Sequence, residues 1–79
     1  MKEELRLIEE LEASVKFVEE NFEKLQHIYP NEFIAVRGNR ILGHHRNPKV
    51  LLKELEKRGE DLVTVLIEFI PEKGLSVIY

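Results

Sequence analysis

The sequence predicts an α+β fold of the order α-β-β-α-β-β: a long N-terminal helix, a β-hairpin, a second helix and two strands, with a four-stranded, mostly antiparallel sheet. Three observations predict it. Residues 2–27 lack Gly and Pro and carry apolar side chains at alternating steps of three and four. Two short alternating runs meet at Gly38-Asn39, a pair able to adopt the positive φ of a tight hairpin. Leu62–Ile70 is a β-branched, apolar run of nine residues closed by Pro71.

The 79 residues make one small domain, 1–79, in which 1–28 is a long amphipathic helix and 32–79 a ββαββ sheet unit. The helix is rich in Glu, Leu and Lys. Ile8, Val15, Phe22 and Tyr29 fall at a positions of a heptad, and Leu11, Val18 and Leu25 at d. Leu5 and Leu7 broaden the stripe near its start. Early Glu3 and Glu4 suit the helix N-terminus, Lys24 and His27 suit its C-terminus, and Pro30 ends it. A helix of this length runs to roughly 40 Å, against about 25 Å for a domain built from the rest. It should overhang the sheet unless it breaks near Ala13-Ser14 and folds back, or simply lies across the sheet. An overhanging first half needs a partner, and a second copy of the chain is the economical one. The expected oligomer interface is Leu5, Ile8, Leu11, Val15, Val18 and Phe22, in a homo-oligomer with a dimer favoured.

Glu32–Arg37 and Arg40–His45 are the hairpin strands. Asn47-Pro48 is a helix start, with Asn47 as N-cap and Pro48 at the first helical position. The helix Pro48–Arg58 buries Leu51, Leu52 and Leu55, with Glu54 and Arg58 spaced for an ion pair and Gly59 just past its end. Leu62–Ile70 is read as a central strand covered on both faces, Pro71–Gly74 as a turn and Leu75–Tyr79 as the last strand, giving a strand order of 2-1-3-4. One helix on each face of the sheet would account for the two-sided hydrophobicity of the third strand.

Tyr29-Pro30-Asn31-Glu32-Phe33-Ile34-Ala35-Val36 followed by Gly38-Asn39-Arg40-Ile41-Leu42-Gly43-His44 resembles a family of short archaeal and bacterial proteins classed as a domain of unknown function. The resemblance covers roughly residues 22–79, leaving out the first two-thirds of the long helix. It implies a hairpin–helix–strand domain and brings no activity with it. The chain departs from the family pattern at Phe33, where Trp is common, and at Asn31 and His45, where Gly is common.

Charge is unevenly spread. Residues 1–32 carry four basic and nine acidic side chains, residues 37–58 seven and two, and residues 59–79 one and four, for net charges of −5, +5 and −3. Solvated faces with local ion pairs are the plain reading. The sharper one is a basic patch for a polyanion, or for the acidic helix of another subunit. Arg37, Arg40, His44, Arg46 and Lys49 are the candidate polyanion-binding residues. They define the alternative function, a nucleic-acid-binding or antitoxin-like regulator using residues 37–58. Against it stand the acidic total and the lack of a stacking aromatic platform on the hairpin.

No catalytic constellation emerges. Ser14, Thr64 and Ser76 lie outside any nucleophile-elbow context, and Glu9-Glu10 and Glu19-Glu20 read as a solvated face. His44-His45 cannot chelate one metal from adjacent strand positions, which point to opposite faces. No cysteine is present, so no thiolate site or disulfide supplements the core. No cofactor and no metal are expected, and no enzymatic activity. No apolar run approaches the ~20 residues of a membrane span. The Lys-Glu-Glu opening is wrong for a secretion signal, so a cytoplasmic location is expected. The abundance of Glu and Lys is typical of thermophiles. The expected function is a non-catalytic protein–protein interaction module, with a protein partner or a second copy as its ligand.

Overall fold

The computed structural model describes residues 2–74. Its elements are α1 (Lys2–Glu20), α2 (Phe22–Ile28), β1 (Glu32–Arg37), β2 (Arg40–His45), α3 (Pro48–Lys57), a single 3-10 turn (Leu62–Thr64) and β3 (Leu66–Ile70). The α+β class holds. Among the described residues the sheet has three strands in the order β2-β1-β3, with both pairings antiparallel. That order is the predicted one for these strands. The expected fourth strand, Leu75–Tyr79, lies outside the described residues.

The long helix is not continuous. It bends at Asn21, rather than near Ala13-Ser14. Asn21 has φ −110° and ψ 13°, yet the hydrogen-bond ladder runs on through it, from Asn21 N to the Phe17 carbonyl (3.1 Å) and from Leu25 N to the Asn21 carbonyl (2.9 Å). Its side-chain amide is a second donor to the Phe17 carbonyl at 2.9 Å. Short polar side chains compete for backbone groups in this way, and helices bend where they do. Beyond Asn21, α2 lies against the sheet: Leu25 is buried with Ile34, Val36 and Ile70, and Gln26 donates to the Pro71 carbonyl at 3.1 Å.

The hairpin forms as predicted. Arg37 and Arg40 pair across Gly38-Asn39, and Gly38 takes φ +59°, a conformation that costs glycine nothing. The register then slips: Val36 faces Ile41 but Ala35 faces Gly43, so Leu42 is an extra residue in β2, a β-bulge. Arg58 donates to the Leu42 carbonyl at 2.7 Å and reaches Glu60 at 3.4 Å. It therefore does not form the expected pair with Glu54. Gly43 permits close packing of α3 on the strand, since a Cβ there would lie 3.2 Å from Leu51 Cδ1.

The run Leu62–Ile70 is not one nine-residue strand. Its first third is the 3-10 turn, capped by Asp61, whose carboxylate accepts from Val63 N at 3.1 Å. Only Leu66–Ile70 pairs, and among the described strands it pairs with β1 alone, while β1 pairs on both sides. Coverage on both faces is correspondingly incomplete, with Val63 66% and Phe69 42% exposed.

Alternation along β1 divides the core into two layers. Ile34 and Val36 pack with Val18, Leu25 and Ile70 under α1 and α2. Ala35 packs with Leu51 and Leu55 under α3. The predicted Asn47 cap is present, its side chain accepting from Lys49 N at 2.9 Å with Pro48 in the first turn. α1 and α3 thus cover opposite faces of the sheet. A radius of gyration of 13.3 Å and extents of 42 × 26 × 22 Å make the molecule more elongated than a compact chain of this length, for which ~12 Å is usual. No helix among the described residues is long and apolar enough to cross a membrane.

Candidate interaction surface

The six seam residues divide between the chain's own core and solvent. Val18 is buried against Ile34, Val36 and Ile70, and Phe22 packs on the same layer. Leu11 is half-buried. Leu5, Ile8 and Val15 are left 61%, 52% and 41% exposed. Helix roll produces this division. Ser14, on the inner face, is fully buried. Its hydroxyl donates to the Glu10 carbonyl (3.0 Å) and accepts from Gly38 N (2.7 Å), fixing α1 to the hairpin turn.

Ile8, Leu11 and Val15 line an open trough of about 370 Å³ along the outer side of α1, bordered by Glu12, Lys16 and Glu19. A second concavity continues past Val18 and Phe22 to Glu68 on β3. Fully burying an aliphatic side chain of this size contributes about 1.5–3 kcal/mol, so what Leu5, Ile8 and Val15 still expose is worth roughly 1 kcal/mol each. Association of two rigid bodies costs more than their sum. An occupant of this surface must therefore also engage the charges around it.

The candidate polyanion residues are not gathered into one patch. Arg37 is occupied within the fold: Nε donates to Thr64 Oγ1 at 2.9 Å and Nη1 to Glu60 Oε1 at 3.0 Å. These bonds hold the Glu60 carboxyl below the usual carboxylate range, first through the hydrogen bond from Arg37, then through its charge and a weaker bond from Arg58. Arg40 is exposed at the turn end of β2, while His44, Arg46 and Lys49 lie at or beyond the other end, about 17 Å away along the strand. His44 pairs with Ile34, on the α1 face. Its Nδ1 lies 2.8 Å from Glu32 Oε1, and its ring leans on Tyr29 with centroids 4.6 Å apart. His45 is half-buried, and its ring accepts from Asn47 N at 2.9 Å. No group of three metal-binding side chains occurs among the described residues.

Two features were overlooked in the sequence. Lys53 and Lys57 continue Lys49 at steps of four, and all three are exposed. Glu12 and Glu19 stand four residues after Ile8 and Val15, on the same side of α1. Helical spacing alone reveals both. The role of Ser14 had no local signal, since Gly38 is 24 residues away.

No curated protein and no solved structure matches the chain. A family model does match residues 24–73, more than half of the chain, from within α2 to the turn after β3, leaving α1 outside the matched stretch. The hairpin, α3 and β3 therefore form the shared unit, and the chain belongs to the family of unknown function DUF5678.

Proposed function

We propose that this protein is a non-catalytic interaction module that self-associates through α1. One observation carries the reading: Leu5, Ile8 and Val15 remain exposed on one side of α1 while Val18 and Phe22, further along the same seam, pack into the chain's own core. Exposed aliphatic side chains are ordinary singly, but a row of them bordered by charge marks a contact surface. The polyanion reading draws less support, because Arg37 is taken up by Thr64 and Glu60 and the other predicted residues, Arg40 against His44, Arg46 and Lys49, sit at opposite ends of β2.

Light scattering across a dilution series tests the proposal. The unaltered chain is expected above monomer mass, and Ile8→Glu with Val15→Glu is expected at monomer mass with its helical circular dichroism intact. Both positions are exposed, so the double variant should fold. Val18→Glu is unsuitable, since that side chain is 7% exposed and its loss would damage the core. A double variant with unchanged mass would refute association through α1.

A further inference from the structure

Any surface that covers Ile8 and Val15 also covers Glu12 and Glu19, which line the same trough. Carboxylates taken out of water without a cation beside them are strongly unfavourable. A second α1 is a poor match for this surface. It would bring its own Glu12 and Glu19, Lys16 is the one cation in the lining of the trough, and Lys2–Glu20 carries three basic against seven acidic residues.

The outer side of α3 is the better complement. Lys49, Lys53 and Lys57 are exposed and follow one another at steps of four, forming a ridge opposite the buried Leu51 and Leu55. Glu54 and Glu56 flank that ridge rather than interrupt it, and half-buried Val50 runs along its margin. The ridge is about 12 Å long, and Glu12 to Glu19 is about 10 Å. Lysine stems can lie over Ile8 and Val15 while their ammonium groups reach the two carboxylates. Among the described residues, neither these lysines nor these glutamates take part in an ion pair within the chain. Within one copy they are held on opposite faces of the sheet.

We propose that α1 of one copy docks on the lysine ridge of α3 of a second copy. This rests on self-association through α1 and names the surface that receives it. Donor and receiving surfaces lie on opposite faces of the sheet, so a single neighbour does not engage both at once; the contact is heterologous and builds rings or chains of copies rather than a two-fold pair.

The test is mass by light scattering against salt, combined with a charge swap. The association constant of the unaltered chain is expected to fall at least about tenfold between about 50 mM and about 500 mM salt, as charges at the contact are screened. Glu12→Lys with Glu19→Lys, and Lys49→Glu with Lys53→Glu, should each be monomeric alone. Their equimolar mixture should recover mass, because reversed α1 meets reversed α3 and each unaltered surface meets its unaltered counterpart. If the lysine variant associates like the unaltered chain, or salt strengthens association, while Ile8→Glu with Val15→Glu still gives monomers, docking on α3 is overturned and association through α1 stands. An unaltered chain that is monomeric at every concentration and salt overturns both.

Discussion

Removing the Ser14 hydroxyl strands a peptide N–H. Gly38 N donates to Ser14 Oγ and is partly buried at the hairpin turn, so Ser14→Ala leaves it unpaired, at about 1–3 kcal/mol. The gain from alanine's higher helix propensity is about 0.5 kcal/mol and does not cancel that loss. Urea denaturation of Ser14→Ala should show a net destabilisation of about 0.5–2.5 kcal/mol, and an unchanged midpoint would remove Ser14 as the tie between α1 and the turn. A second residue-scale prediction concerns acid. Arg37 holds the Glu60 carboxyl below its ordinary range, so the unfolded chain binds the Glu60 proton more readily than the folded one. The resulting stability is fully present above the ordinary carboxylate range and is lost as pH falls through the lowered folded value. Glu60→Gln should therefore destabilise the protein at neutral pH and flatten its stability–pH curve on the acid side. An unchanged acid limb would mean that the Arg37–Glu60 contact does not couple to folding.

At the scale of elements, legibility followed the range of the interactions responsible. The hairpin turn and the Asn47-Pro48 cap rest on neighbours one or two residues apart, and the sequence spells them out. The bend at Asn21 was hidden because the heptad runs through it to Tyr29 and the backbone ladder is unbroken. Its one local cue was an amide side chain in a helix, a known competitor for backbone carbonyls. The 3-10 turn was hidden by the apolar character of Leu62–Ile70, which suits a strand or a turn equally. The local cue for the turn is Asp61, whose carboxylate caps Val63 N. One consequence is visible in the packing. Leu62 joins the α3 layer with Val65 and Ile67, although simple alternation would place it with Leu66 on the opposite face. The candidate surface was half legible for a related reason. A seam identifies apolar positions, but which of them meet the sheet depends on contacts distant in sequence, such as the bond from Gly38 N to Ser14 across 24 residues.

For the whole molecule, the buried apolar residues among those described are Val18, Leu25, Ile34, Ala35, Val36, Leu51, Leu55 and Ile70. That is a small interior, and small domains of this kind gain stability by associating. If α1 buries Ile8 and Val15 against another copy, folding and association are linked, and thermal stability must depend on protein concentration. A hundredfold rise in concentration adds about 2.7 kcal/mol per contact formed, and a domain of this size shifts its midpoint by about 4–8 °C per kcal/mol. The thermal midpoint should rise by at least about 5 °C across that range for the unaltered chain. It should stay constant for Ile8→Glu with Val15→Glu, which keeps the core but loses the contact. A concentration-independent midpoint in the unaltered chain would mean that the interior of a single copy suffices, and that the row on α1 does not contribute to the stability of the folded state.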